Sequence, residues 1–463
     1  LGISIKKGRG MRMTSIKMVL LTAMVLSRLI MADQNEDMRA LRPDALSYPG
    51  STPEIVSPFD SAELQEIQQC VCQLKTIVES GFDYVESQID YIESQIDILL
   101  GCAVTPIQGS IVITVPGSYC LANDITGDIE IAVSGVTLWL NECQISGSII
   151  VDADLQNISI SGGAIDPNLL ADGLTIGDGC DNVRISNITI RNGVKGLNAV
   201  GVFGNSISNL FISGVVVESC SNDGIVLIEC TAELTNCLAL NNVGSGIICL
   251  GTGSIVTVAD SRAYSNNGWG FGFVDGSYKC INSFADSNGI VGFLVSGTPD
   301  SSNASVLICE NCYGTSNGLI SAPNGYNFYV GYYSSMIAQN CVAVGGTFGF
   351  LAQWGANIEW VNCLAKRNLS DGFVINGQDV LGQAIITGLV SNCISIENVG
   401  SGFIIPYTAF SDVRFISNYA VDNGDGNYVT GTTTTLTNTA PYYWLDWNDA
   451  SANPFNNVDG SNV

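Results

Sequence analysis

The side chains able to do chemistry are few in kind. The sequence holds no His, which excludes His-based triads, His general bases and His metal ligands together. Acid–base work would fall to carboxylates, Arg, Lys, Tyr or Cys. The segment Asp422-Asn-Gly-Asp-Gly-Asn427 is rich in oxygen ligands and makes Asp422 and Asp425 the candidates for holding Ca²⁺. Its spacing matches neither the calcium loop of an EF-hand nor the Gly-Gly-x-Gly-x-Asp type, so an ordinary Asp-Gly turn competes with that reading. Apart from Ca²⁺, no cofactor is implied. The 16 Cys are read as lacking a Cys-x-x-Cys pair, so no metal–thiolate array is expected.

Charge excludes some partners. Asp33 is the first acid, and six basic residues precede it (Lys6, Lys7, Arg9, Arg12, Lys17, Arg28); of the 17 Lys+Arg and 43 Asp+Glu, 17 − 6 = 11 basic residues then face all 43 acids. Beyond Asp33 no basic cluster larger than Lys366–Arg367 exists to neutralise phosphates, so no nucleic-acid partner is expected. An anionic membrane would repel such a chain, whereas neutral sugars, cations and basic partners would not.

Five segments follow one another. In residues 1–32, Arg12 and Lys17 precede the apolar run Met18–Leu26, and Ala32 stands before Asp33. This is the layout of a signal peptide with an upstream extension, and it predicts a secreted or cell-surface protein that is not inserted in a membrane once the signal is removed. Residues 33–60 carry Pro43, Pro49, Pro53 and Pro58 without periodicity and read as a linker. Residues 61–102 read as a coiled-coil α-helix, with Asp83-Tyr-Val-Glu-Ser-Gln-Ile and Asp90-Tyr-Ile-Glu-Ser-Gln-Ile as consecutive heptads. Ile89 and Ile96 share one core position; Val85, Ile92 and Leu99 share the other. Branched residues at both favour three strands, hence a homotrimer, although the helix could instead fold back on its own chain.

From residue 103 to 430 the period changes. Gly followed by an apolar or aromatic residue recurs at Gly224, Gly246, Gly270, Gly292, Gly325, Gly349, Gly372 and Gly402, in steps of 22, 24, 22, 33, 24, 23 and 30 residues. Short Val/Ile/Phe-rich segments broken by Asn and Gly, at a period near 23, are strands wound into a solenoid. Aligned on the Gly, Asn236, Asp260, Asn282, Asn362 and Asn392 fall in one column, with Asn311 and Asn340 after small shifts; Asn242, Asn266, Asn288, Asn368 and Asn398 fall in a second. Such ladders require coils stacked in register about 4.8 Å apart. Cys237, Ser261, Ser283, Cys312, Cys341, Cys363 and Cys393 form a column of small residues expected inside the coil. Strand alternation aims the first and third residues after each Gly inward. The residue between them then faces out, and it is apolar at six of eight coils: Val226, Ile248, Leu294, Leu351, Val374 and Ile404, with Gly272 and Asn327 as exceptions. That stripe calls for cover, from another chain or from the aromatic segment Tyr442–Trp447 of the C-terminal tail, residues 431–463.

These repeats, with Asp172-Gly-Leu-Thr-Ile and the run Asp181–Asn192, resemble the parallel β-helix proteins of the pectin-lyase-like superfamily over about residues 111–430, some fourteen coils. The resemblance implies an all-β, right-handed, single-stranded parallel β-helix. It also implies glycans as ligands or substrates, since the superfamily holds lyases, hydrolases, binders and phage tailspikes. In its polygalacturonase-like branch a catalytic cluster pairs carboxylates on neighbouring coils. Here Ser221-Asn-Asp-Gly-Ile225 places Asp223 at the acid position, but the next coil has Gly244-Ser245 where the second Asp belongs. Glycoside hydrolysis needs two carboxylates, and eight basic residues from Ala103 onward are few for a lyase. The sequence therefore points to a secreted β-helical fibre or adhesion protein, structural or glycan-binding, with a polysaccharide lyase or glycoside hydrolase as the alternative. The heptads generate a first prediction. In sedimentation the isolated segment 61–102 gives a trimer mass, which Ile92→Asp dissociates; a concentration-independent monomer would mean that the helix does not self-associate.

Overall fold

A computed structural model describes residues 105–298, 304–318, 325–377, 385–405 and 411–430, together with the strand Asn457–Asp459. The expected signal peptide, linker and coiled coil, and the aromatic tail segment, lie outside these residues. The described chain is all-β and every ladder between its strands is parallel, as a parallel β-helix requires. Each circuit contributes three strands. In one coil they are Ile225–Ile228, Cys230–Thr235 and Leu238–Leu240, and each pairs with the same strand of the next coil: Ile247–Leu250, Ile255–Ala259 and Arg262–Tyr264. The three positions build three long faces, called here face 1, face 2 and face 3. Face 1 runs unbroken through 14 strands, from Ile111–Ile113 to Gly426–Thr430. Asn457–Asp459 pairs with Asn418–Val421 on face 3, so part of the segment expected to be tail joins the sheet.

Inward side chains stack on their own kind. Phe271, Phe293, Phe328, Phe350, Phe373 and Phe403 occupy one face 1 column. Successive ring centroids are 4.9, 4.9, 4.6, 4.8 and 4.7 Å apart, with neighbouring planes within 10° of parallel. The spacing is the strand-to-strand distance itself, so the rings stack because the coils do.

The corner between faces 2 and 3 turns on a single residue in the left-handed region. Asn236, Asp260, Asn282, Asn311, Asn340, Asn362 and Asn392 all have φ between 48° and 54°. Asn and Asp tolerate that conformation best among residues with a side chain. Exposed amides link successive coils here, Asn282 Nδ2 donating to Asp260 Oδ1 at 3.2 Å and Asn311 Nδ2 to Asn282 Oδ1 at 3.2 Å. The following residue lies inside, as expected. Cys237, Cys312, Cys341, Cys363 and Cys393 are buried free thiols, each pointing at a carbonyl two residues back, as Cys312 does to Glu310 O.

The second ladder, at the corner between faces 3 and 1, is buried and longer than the sequence pattern indicates. It runs Asn242, Asn266, Asn288, Asn317, Asn327, Asn368, Asn398, Asn423, each Nδ2 donating to the next Oδ1 over 2.8–3.1 Å. Every interior rung is bonded on both sides. Asn288, for example, accepts from Asn266 N and Nδ2 and donates to Ala263 O at 3.0 Å.

One sequence alignment needs correction. Phe328, not Tyr326, is in register with Phe293 and Phe350, so this coil is shifted by two residues and Asn327 does not face outward. It takes the repeat-Gly position with its amide inside, because the next coil has Gly346 where a ladder Asn belongs. Gly346 N donates to Asn368 Oδ1, and a Cβ on Gly346 would lie 2.6 Å from Asn327 Nδ2. The side chain of one coil thus fills the slot left empty in the next.

Two stability predictions follow from the ladder. Asn288→Ala strands two donors of Asn266 in the interior and costs about 2–4 kcal/mol by denaturant midpoint, whereas exposed Asn282→Ala costs less than about 1 kcal/mol. Equal losses at both sites would remove the ladder's special role.

Candidate functional site

The sequence-derived candidates come first. Asp223 stands just before the repeat Gly, half-buried, and its Oδ1 accepts a hydrogen bond from Ser245 N at 2.8 Å in the next coil. The same bond recurs from Asp128 Oδ1 to Ser148 N, from Asp172 Oδ1 to Lys195 N and from Asp371 Oδ1 to Ser401 N. Four carboxylates on four coils do the same work, satisfying a backbone N–H where the chain turns from face 3 into face 1. By register the residue opposite Asp223 in the next coil is Ser245, which carries no carboxylate, and a Cβ on the adjoining Gly244 would crowd Asp223 Oδ1.

Asp422 and Asp425 are exposed and lie at the last coil's turn. Asp422 has φ 55°, and Asp425 N donates to Gly400 O at 3.2 Å. Between them Asn423 points inward and closes the buried ladder. The oxygen-rich segment is thus the ladder's end turn. Among the described residues no three His, Cys, Asp or Glu side chains gather into a set that could hold a metal ion. Cys309 and Cys312 do have Cys-x-x-Cys spacing, a pair the column reading passes over, but both are buried among core side chains.

The outward stripe of face 1 is confirmed as apolar, with Tyr329 in the place assigned to Asn327. It is not open. Val226, Ile248, Leu294, Tyr329, Leu351 and Val374 are only 3–8% exposed within the single chain. Trp269, Tyr326, Phe348 and Trp354 pack onto this cluster from the ends of the strands.

One end of this cluster is a feature that periodicity does not reveal. At five coils the residue directly after the face 1 strand sits at the corner toward face 2 with a positive φ. Along the solenoid this position holds Glu229, Gly251 and Asp275, then Tyr332 and Trp354. Tyr332 has φ 47°, Tyr333 φ 58° and Trp354 φ 49°. Bulky residues are rare there, and each costs about 1–2 kcal/mol relative to Gly. The Tyr332 and Trp354 rings stack with centroids 4.3 Å apart, Tyr329 meets Trp354 edge-on at 6.3 Å, and Tyr333 is 46% exposed. Three residues separate the strands at each of these corners, 332–334 and 354–356. Nine do so in the coils on either side, 297–305 and 377–385. A warning sign was present in the sequence: aromatic Tyr332-Tyr333 and Trp354-Gly355 occur where other repeats have Gly or acids.

No protein-family model and no curated protein sequence matches the chain. Among solved structures, the A-module of a mannuronan C-5 epimerase of Azotobacter vinelandii superposes with a TM-score of 0.34 at 11% identity, covering 76% of this chain and 93% of that one. A tailspike of an Acinetobacter phage gives 0.38 at 12% over 67% and 60%, and a pectate lyase gives 0.28 at 16% over 74% and 76%. At these identities and scores the likeness bears on no activity.

The buried thiols give a pH prediction. Loss of hydration pushes Cys220 and Cys237 up to about 11 and Cys230 up to about 12. The folded chain then keeps these protons at a pH where the unfolded chain, with thiols near 8.5, has lost them. Their contribution to stability is complete below pH 8.5 and falls as pH rises toward 11–12. Denaturant midpoints between pH 7.5 and 10.5 check this, with a decline expected only above 8.5; in the native protein Cys220, Cys230 and Cys237 should stay unlabelled by an aromatic disulfide reagent at pH 8, as peptide mapping would show.

Proposed function

We propose that the chain is an exported β-helical binding protein that holds neutral glycans against the aromatic corner formed by Tyr332, Tyr333 and Trp354. The observation that carries this reading is the strained backbone. Three large aromatic residues occupy a conformation that at the Glu229, Gly251 and Asp275 coils is given to Gly or acids, and they leave ring surface at the solvent. Strain kept in place by the surrounding structure marks functional sites, because folding alone would discard it. Flat aromatic faces suit the apolar C–H faces of sugar rings, while Gln353 at the end of the adjoining strand brings an amide beside them. The net charge of −26 disfavours anionic polysaccharides. Binding rather than cleavage is the reading because Asp223 is tied to a backbone N–H and faces no second carboxylate.

Affinity electrophoresis of the purified chain through gels containing neutral polysaccharides tests the proposal. Trp354→Ala should weaken retention at least tenfold. Tyr333→Asn should lower binding while leaving thermal stability unchanged or about 1 kcal/mol higher, since Asn accepts the left-handed region. Unaltered retention in both variants would overturn the assignment. Release of reducing ends or unsaturated products, abolished by Asp223→Asn, would replace it with catalysis.

A further inference from the structure

Face 1 has its own cover, but face 3 does not. Its strands are three residues long, with the middle residue inside: Ala239, Ala263, Ala285, Ala343 and Ala365 are buried. The first and third residues face out. From the strand Leu238–Leu240 to the strand Asn418–Val421, the first column reads Leu238, Phe284, Tyr313, Val342, Leu364 and Ile394, interrupted by Arg262 and ending on Tyr419. The third column is also mainly apolar, with Asp286 and Lys366 as its charged members. Unlike the face 1 stripe these side chains meet solvent: Tyr264 is 46%, Tyr313 44% and Ile394 39% exposed. Face 2 differs again, carrying Glu233, Lys279, Glu310, Glu359 and Arg414 outward.

Eight strands about 4.8 Å apart and about 10 Å long give a flat footprint on the order of 300–400 Å², before the relief of the side chains. A patch of that size matches the largest apolar patch of a typical monomer, and such patches are often functional. We infer that face 3 docks against face 3 of a second copy of this chain, with the two solenoids antiparallel.

Of the three charges on the stripe, Asp286 and Lys366 fix the partner and its direction, while Arg262 falls over Ile394 towards the rim of the contact. The middle of the stripe falls between the Tyr313 and Val342 strands. Asp286 stands one coil before Tyr313 and Lys366 one coil after Val342, both in the third column. A two-fold axis along the strand direction through that midpoint sets Asp286 over Lys366 of the second copy, twice. It also sets Tyr313 over Val342 and Phe284 over Leu364. A parallel pair in the same register would instead press Asp286 against Phe284 and Lys366 against Leu364, leaving both charges desolvated and unpaired. The surface is self-complementary, as a two-fold interface demands. Lys366 is available for the exchange: its Nζ is 3.9 Å from Glu397, whose Oε2 is already held by Arg367 Nε at 2.5 Å. Asp286 is held ready by Thr315 Oγ1.

Charge reversal in the full-length protein tests this. By sedimentation over a hundredfold range of concentration, Asp286→Lys and Lys366→Asp should each weaken association at least tenfold. The double variant should recover it to within about threefold, with the β-rich circular dichroism unchanged throughout. In a mixture of Asp286→Cys and Lys366→Cys chains, oxidation should cross-link one to the other. Three outcomes would overturn the inference: association insensitive to both reversals and to Tyr313→Glu, single-variant losses that the double does not repair, or cross-linking of Asp286→Cys chains to themselves only.

Discussion

Everything in this solenoid depends on one constraint: each coil stacks on the next in strict parallel register, about 4.8 Å away. The register turns a repeat in sequence into a column in space, so each side chain meets a neighbour of its own class. Phe meets Phe at 4.6–4.9 Å, and Asn meets Asn at 2.8–3.1 Å. Like neighbours are an advantage for amides, which donate and accept along one line, and for flat rings. They are a handicap for charges, which repel when stacked directly. The composition follows: charged residues are sparse, and the carboxylates nearest the coil turns spend an oxygen on the backbone of the next coil.

The same constraint explains what the sequence disclosed. A period near 23, two Asn columns and a column of small residues determined the fold, because each is required by in-register stacking. The alternation of side chains within face 1 was also legible. The failures came where the period slips. The insertion after Asn317 concealed the two-residue shift at Asn327, and three rungs of the buried ladder, Asn317, Asn327 and Asn423, were missed because a fixed offset from Gly cannot follow a loop.

The functional region was less legible for a different reason. Periodicity describes what coils share, whereas a binding site is what one or two coils do differently. Asp223 attracted attention because it resembles a family motif, yet three other Asp residues have the same bond and the same task. Tyr332, Tyr333 and Trp354 carry no motif; their distinction is an aromatic ring at a positive-φ corner that Glu229, Gly251 and Asp275 fill in other coils, and only the fold locates that corner. The three faces also divide in a way that composition averages out. Face 1 is apolar and covered, face 2 is mixed and solvated, and face 3 is apolar and open.

The single gap in the amide column has a mechanical meaning. A filament pulled along its axis shares the load across every coil boundary, and each buried rung acts as a rivet. At the Gly346 coil there is no rivet of its own; one borrowed amide, Asn327, reaches past it to Asn368 at 3.1 Å, the longest bond in the column. Under tension a crack would open at that coil first. It would part the molecule into two intact segments, one riveted from Asn242 to Asn327 and the other from Asn368 to Asn423, with the aromatic corner at the line of fracture.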